Sequence, residues 1–254
     1  MMIVGVIPSH LNSKRFKKKI LYKIKGLPMI EHVRRRAMLC KELKKKIIVC
    51  SCNKIIEKTI KKFNGSIIMT SNRHKNGTSR VIEALNKIKA THIIIIQGDE
   101  PLLDPTYLTK LVKIMYQDKN NKKIHAWNLI SRITEEKHIS DKTFVKCFLN
   151  NDLITNLFRY EKSFKKTKKI YKILGLIAFK KRTLLKLKKL KPSKKENQIL
   201  IEQLRIIENG MNLRGVKVKV PLPSVNQPGD IKIVENFLNV NKKQKELLSK
   251  ISKF

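Results

Sequence analysis

An α/β fold, a mostly parallel central sheet with helices on both faces, is what this chain of 254 residues predicts. Three observations carry it. Short apolar runs of strand length alternate with stretches of helical periodicity through roughly the first 120 residues. The run His92–Ile96 is apolar almost throughout, as strands buried on both faces are. Three loops that follow such runs, residues 8–19, 70–80 and 97–101, hold nearly all the unusual chemistry, at the edge where open α/β sheets bind ligands.

Ile3 to Ile7 is a strand closed by Pro8, and the cationic loop Ser9 to Lys19 follows it. Met29 to Leu39 has helical spacing through Ile30, Val33, Ala37 and Met38. The unit recurs, with strands at Lys46–Cys52, Ser66–Met69 and His92–Ile96 and helices at Ile55–Phe63, Thr78–Ile88 and Pro105–Tyr116. Beyond residue 120 the rhythm loosens. Strands are predicted at Ile124–Ile133, Thr143–Leu149, Lys172–Phe179 and Leu213–Val220, and helices at Arg182–Leu190, Glu196–Asn209 and Pro228–Val240. The loops Tyr160–Lys169 and Lys191–Lys195 are polar. The second half is expected to extend the sheet and cover its active edge within a single domain, residues 1–254. No repeat of fixed period suggests a solenoid.

Composition bounds the function. With 58 Lys and Arg against 19 Asp and Glu, the formal charge is +39, which attracts nucleic acid, anionic membrane or phosphorylated small molecules. The cations are mostly lysines in short dispersed runs such as Lys17-Lys18-Lys19, Lys44-Lys45-Lys46 and Lys165-Lys166, the pattern of a solvated surface. No helix-turn-helix, zinc-finger or RNA-recognition signature accompanies them, so no specific nucleic-acid partner is indicated. Cys40, Cys50, Cys52 and Cys147 lack C-x-x-C spacing and read as reduced thiols, Cys50 and Cys52 on one strand face. MMIVGVIPSH has no cationic region before its apolar stretch, and no segment is long enough to span a bilayer, so a cytoplasmic protein without membrane insertion is expected.

The first loop, with Ser13, Arg15 and Lys19 among backbone amides, suits a polyphosphate, held by guanidinium forks and point charge; a basic surface loop is the plain alternative. It is neither a Walker A loop nor a G-x-G-x-x-G turn. In MTSNRHKNGTSR, Gly77 and Thr78 open a helix whose amides could meet a base edge or phosphate, with Arg80 one turn inside; an ordinary start capped by Asn76 is the alternative. In QGDEP, Asp99 directly after a buried strand is placed to hold a hard cation such as Mg²⁺ together with substrate phosphates. Capping of the next helix by Asp99 and Glu100 leaves Gln97 and Gly98 unexplained.

With IPSHLNSKRFKKKIL from Ile7, GLPMIEHV from Gly26, MTSNRHKNGTSR from Met69, QGDEP from Gln97, and PS at Pro192 followed by EQLR at Glu202, the chain resembles the 3-deoxy-manno-octulosonate (Kdo) cytidylyltransferases, or CMP-Kdo synthetases. The resemblance implies a Rossmann-like nucleotidyltransferase fold, a homodimer, and Mg²⁺-dependent transfer of CMP from CTP to an acidic octulosonate sugar with release of pyrophosphate, as in Kdo activation for lipopolysaccharide synthesis. Residues 1–120 would be the nucleotide-binding half, and residues 121–254 the sugar-binding and dimerisation half. Carried over by position, Arg15, Lys19 and Asp99 are catalytic. Pro8, Ser9, His10, Ser13, Gly77, Thr78, Arg80, Gln97 and Gly98 bind nucleotide. Glu100, Arg159, Glu202 and Gln203 face the sugar, and Asp99 and Asn226 hold metal.

The chain also departs from the family pattern. His10 replaces an Arg, Lys17-Lys18 replaces Pro-Gly, and Asn226 in VNQPGD replaces the Asp expected as a second metal ligand. Asp230 reads as an N-terminal helix residue. In KILGLIAF, Ile173 and Ile177 stand where the family carries His and Tyr, which leaves usual sugar hydroxyls unpaired. A different or modified ulosonic acid, or a nucleotide-binding homologue with impaired catalysis, are the alternatives; a basic nucleic-acid binder with steep salt sensitivity is a remote one.

Overall fold

The computed structural model describes residues 1–13, 15–43, 46–160 and 169–254. The pairs Lys44-Lys45 and Lys165-Lys166, and most of the loop predicted at Tyr160–Lys169, lie outside the described residues. In chain order the elements are β1 Ile3–Ser9, β2 Lys23–Ile24, β3 Leu27–Pro28, α1 Met29–Met38, β4 Ile47–Ser51, α2 Lys54–Lys62, β5 Ser66–Met69, α3 Gly77–Ala84, β6 His92–Ile96 and α4 Pro105–Gln117. There follow β7 Ile124–Arg132, α5 Glu136–Ser140, β8 Lys146–Asn150, β9 Leu153–Phe158, β10 Tyr171–Lys180, α6 Lys181–Lys189, α7 Lys194–Ile199, α8 Leu204–Ile207, β11 Asn212–Val218, α9 Asp230–Val240 and α10 Lys242–Ser252. The protein is α/β, in two compact units: Met2–Thr109 with Leu222–Phe254, and Met1 with Lys110–Pro221.

In the first unit the strands lie in the order β5-β4-β1-β6, all parallel, with α1, α2 and α3 packed on them. Every residue of β1 is buried, and so are Ile93 to Ile96 of β6. β1 does not stop at Pro8 as predicted; it runs to Ser9, with Pro8 in register with Cys50. The Gly5 amide donates to the Lys46 carbonyl, so alternation turns the position-8 amide toward β6. Pairing with β6 ends at Val6, so no ladder bond is lost there. β2 and β3 form a hairpin the sequence reading omitted. Its two-residue turn, Lys25-Gly26, has φ of 48° and 81°, the double left-handed conformation of tight hairpins.

Helix α1 buries charge. Glu31 is fully buried and accepts from Arg34 Nε at 2.7 Å and Nη2 at 2.8 Å, and from Arg35 Nε at 3.0 Å. Arg36 Nη1 donates to Gln244 Oε1 at 2.7 Å, and Arg35 Nη1 to the Ile251 carbonyl at 2.8 Å. Both acceptors lie in α10, a helix absent from the sequence reading. Both come from the buried face of that helix and offset part of the cost of burying the two guanidinium groups; among the described residues Arg36 Nε and Nη2 have no partner.

In the second unit the strand order is β10-β7-β11-β9-β8, with β8 also pairing to β10. Only β7 and β11 run parallel; the other pairings are antiparallel. Trp127 is fully buried and donates to Asp118 Oδ2 at 2.7 Å, and Arg214 donates to the other carboxylate oxygen at 2.5 Å. β9 was also not predicted. It follows the turn Asn151-Asp152, again left-handed at both residues, φ 45° and 63°. Between Ile173 and Ile177 the register of β10 shifts, and Asn128 Nδ2 donates to the Leu174 and Leu176 carbonyls at 3.0 and 3.2 Å.

The single helix predicted at Glu196–Asn209 is two short helices, broken at Leu200 with φ 53°. The reason is an ion pair: Arg205 binds both oxygens of the buried Glu196, with Nε at 2.9 Å from Oε2. In a continuous helix residues nine apart lie on opposite faces and about 13 Å apart along the axis, out of reach. Leu200 is 76% exposed, while Ile201, Leu204 and Ile206 are buried. Cys52 lies one residue beyond β4 rather than on its face with Cys50. The four cysteines are free, and burial pushes the Cys50 thiol up to about 12.

His32 lies fully buried in α1, with Nε2 donating to the Ile24 carbonyl at 2.8 Å. Burial takes the ring from its ordinary 6.5 down to about 4; Arg36 and Arg35 push the same way and the Ile24 carbonyl opposes. The folded pKa is the lower one, so this contribution to stability is full above 6.5 and is lost as the pH falls through about 4. Denaturant unfolding across that range should show a loss of about 3 kcal/mol, absent in His32→Gln; equal slopes in the two proteins would contradict it.

Candidate active site

At the carboxyl ends of β1 and β6 and the amino end of α3, a cavity of about 340 Å³ opens in the first unit. The three loops singled out in the sequence meet there. The first supplies Pro8, Ser9, His10, Ser13, Arg15 and Lys19, the second Gly77 and Arg80, the third Gln97, Gly98 and Asp99. Asn12 and Ile20 also line it and were not anticipated. Among these lining residues three fixed cations, Arg15, Lys19 and Arg80, face one carboxylate, Asp99, so the cavity attracts anions.

Lys19 is the hub. Its Nζ donates to Asp99 Oδ2 at 2.7 Å and to the Val225 carbonyl at 2.9 Å. The Val225 amide in turn donates to the Asp99 carbonyl at 2.9 Å. Val225 is fully buried in an apolar cluster with Ile24, Met29, Leu102 and Ile231, which brings this distant segment to the cavity. Asp99 does not cap the next helix. Asp104 does, accepting from the Thr106 amide at 2.9 Å with Pro105 in the first helical position. The carboxylate of Asp99 is therefore left for the cavity.

In the first loop the Ser9 hydroxyl is buried and has no hydrogen-bond partner among the described residues, a cost of about 1–3 kcal/mol that a polar ligand or water would relieve. His10 Nδ1 accepts from the Asn12 amide at 3.1 Å. Burial, with Arg80 and Lys19 nearby, holds the ring below its ordinary 6.5 against the opposing pull of Asp99, so it is neutral at pH 7. Lys18, where the resembled family has Gly, has φ 55°, the left-handed region that favours glycine. The lysine accepts that strain to enter the short helix Lys19–Leu21, which aims Lys19.

Asn76 caps α3, its Oδ1 accepting from the Ser79 amide at 2.8 Å, as the plain reading of that loop has it, and Gly77 also lines the cavity. A Cβ at Gly77 would stand 3.0 Å from Pro8 Cγ; only glycine lets the two loops close up without a shift. Arg80 is 3% exposed, its Nη1 donating to Thr70 Oγ1 at 2.7 Å and the Ser71 carbonyl at 3.1 Å.

Among the described residues, Thr78, Glu100 and Asn226 do not line the cavity, though Thr78 and Glu100 each follow a residue that does. Asn226 Oδ1 accepts from Arg15 Nη2 at 3.3 Å. Its amide and that of Gln227 donate to Asp230 Oδ2 at 2.7 and 3.0 Å, so Asp230 is a helix-start residue as read from sequence. Arg159, Glu202 and Gln203 belong to the Lys110–Pro221 unit. Arg159 donates to the carbonyls of Ile199 at 2.8 Å, Thr143 at 3.1 Å and Leu200 at 3.3 Å. Glu202 and Gln203 lie half-buried in the turn between α7 and α8 rather than on a helix face.

The oxygens read from the sequence as able to hold a metal ion are the Asp99 carboxylate and the Asn226 amide oxygen, both hard; the latter accepts from Arg15 here. No group of three His, Cys, Asp or Glu gathers among the described residues. One carboxylate, with water and substrate phosphates completing the shell, fits Mg²⁺ and not an all-protein cage. No described helix is long and apolar enough to cross a membrane.

The profile of the Cytidylyltransferase family matches residues 4–214. A 3-deoxy-manno-octulosonate cytidylyltransferase of Thermodesulfovibrio yellowstonii is 28% identical, covering 94% of this chain and 99% of the relative. An 8-amino-3,8-dideoxy-manno-octulosonate cytidylyltransferase of Shewanella piezotolerans is 30% identical, covering 95% and 100%. A solved CMP:2-keto-3-deoxy-manno-octonic acid synthetase complexed with CTP is similar with a TM-score of 0.87 at 27% identity, over 94% of this chain and 99% of that one.

The segment beside Lys19 rests on one carboxylate. Asp230→Ala should lower stability by about 1 kcal/mol and speed hydrogen exchange at the amides of 226 and 227, while the Val225 amide, held by Asp99, stays protected. Unchanged exchange at all three would refute this account.

Proposed function

The chain belongs to the cytidylyltransferase family, and on that premise we propose that it transfers CMP from CTP to an acidic 3-deoxy-octulosonate sugar, releasing pyrophosphate. The observation that carries the proposal is the pairing of Lys19 with Asp99 at 2.7 Å inside a cavity that Arg15 and Arg80 also line. A triphosphate needs fixed positive charge there, and nucleotidyl transfer depends mainly on alignment and on neutralising charge that builds on phosphate oxygens.

In this reading the sugar's anomeric hydroxyl oxygen attacks the α-phosphorus. One P–O bond forms, the α–β bridging P–O bond breaks, and the hydroxyl proton is lost to solvent. Arg15 and Lys19 hold the phosphate oxygens and offset the charge that moves to the leaving pyrophosphate. Arg80, Gln97, Ser9 and neutral His10 orient the nucleotide, with Pro8, Ser13, Gly77, Thr78 and Gly98 shaping its pocket. Glu100, Arg159, Glu202 and Gln203 are the sugar-facing set. Cytidylyltransferases are generally metal-dependent; here Asp99 and Asn226 would hold Mg²⁺, which supplies Lewis-acid polarisation of the phosphates. A neutral amide at 226 attracts the ion less than a carboxylate does. The same reading makes the working form a cytoplasmic homodimer.

A modified acceptor is the second reading, favoured by the 8-amino relatives and by the isoleucines Ile173 and Ile177 at positions where the resembled family carries His and Tyr. An apolar pair cannot satisfy the hydroxyls of the usual sugar.

Asp99→Ala should cut CMP-sugar formation by about 100- to 1,000-fold with far-UV circular dichroism unchanged; full turnover would sink the assignment. Pyrophosphate release with CTP and either 3-deoxy-octulosonate or its 8-amino analogue separates the acceptors, the better substrate showing about tenfold or greater kcat/KM. Release with neither sugar, at full CTP binding, would instead support a homologue without catalysis.

A further inference from the structure

The connection from β5 to α3 contains a network of which only Arg80 lines the cavity. Arg80 holds the carbonyl of Ser71 through Nη1 at 3.1 Å. The amide of the same residue donates to both oxygens of Glu83, at 3.1 Å each. Ser71 is thus gripped from both sides by two residues one helical turn apart on α3. His74 Nε2 closes on Glu83 Oε2 from across the loop. Two further bonds tighten the turn: the Arg73 amide donates to Ser71 Oγ at 3.1 Å, and the Ser79 amide to Asn76 Oδ1 at 2.8 Å.

We propose that Glu83 is a positioning residue for the nucleotide subsite: by fixing Ser71 it fixes the guanidinium of Arg80 that lines the cavity. This rests on the nucleotide reading above and deepens it. Arg80 Nη1 is spent on Thr70 and Ser71, so the attitude of its planar fork toward the cavity is set by where those two acceptors stand. Thr70 is tied to the sheet, its amide donating to the Ser51 carbonyl at 2.9 Å. Among the described residues Ser71 has no such strand partner, and its amide is held by Glu83 instead. The carboxylate is held below its ordinary range, chiefly by the His74 contact and then by the Ser71 amide, so it accepts with full charge at neutral pH. A surface ion pair between Glu83 and His74 alone would affect neither affinity nor kinetics measurably. The difference is that Glu83 reaches Arg80 through one backbone residue.

The test is CTP binding by calorimetry with steady-state kinetics on the whole protein, for Glu83→Ala, Glu83→Gln and the wild type. Glu83→Ala should raise both Kd and KM for CTP about tenfold, a loss of about 1.4 kcal/mol, of the order of one charge-assisted hydrogen bond. The turnover number should stay within about twofold, the KM for the sugar should not move, and the melting temperature should hold. Glu83→Gln keeps one acceptor oxygen for the Ser71 amide and should recover most of the affinity. Wild-type CTP affinity in Glu83→Ala, or a fall in kcat at constant KM, would overturn the proposal. Loss of affinity shared equally by Glu83→Gln would also count against it, because the charge rather than the acceptor would then be responsible. A wild-type protein that binds no CTP would sink the nucleotide reading instead.

Discussion

The cavity is drawn together at one ammonium group. Lys19 bridges the carboxylate at the end of β6 and a backbone carbonyl far along the chain, and it is itself aimed by the loop that leaves β1. Three segments with no sequence proximity are joined at that nitrogen. The side chain is only 13% exposed and that of Asp99 28%, so the pair is screened less than a surface bridge would be. Neither partner could be removed without leaving the other charge partly desolvated. The same pair moderates the repulsion among Arg15, Lys19 and Arg80, which would otherwise oppose their gathering around one small cavity.

Much of this was legible in the sequence because the signals were local. Buried parallel strands announce themselves as apolar runs, and the loops after β1, β5 and β6 carried residues that plain turns do not need. Those runs and loops predicted the parallel order of the first strands and the meeting of Arg15, Lys19, Gly77, Arg80, Gln97 and Asp99. Strand ends were less legible. Pro8 looked like a terminator because the sequence does not say on which side a missing amide would face.

What escaped was set by tertiary partners. α10 has the charge pattern of a solvated helix, and its Gln244 is covered because Arg36 of α1 donates to its side chain, which in turn donates to the Leu102 carbonyl. The break at Leu200 follows from Arg205 reaching back to Glu196, a pairing no periodicity reveals. The contribution of Val225 is a carbonyl, and main-chain atoms leave no trace in composition. The turns Lys25-Gly26 and Asn151-Asp152 did leave a trace, since Gly, Asn and Asp favour left-handed positions, but each flanks strands too short or too irregular to show alternation.

Residues Leu222–Phe254 pack with Met2–Thr109, although the whole of Lys110–Pro221 is made between them. During synthesis, then, the first strands emerge long before the partners that finish them. Arg35 and Arg36 await acceptors in α10, and Lys19 awaits the Val225 carbonyl. Contacts of such long sequence separation form slowly, and a nascent chain grows at about 5–20 residues per second. The earliest-made part of the anion cavity is thus among the last to mature, and a parallel sheet with unmatched cations is what the nascent polypeptide presents to its surroundings in the meantime.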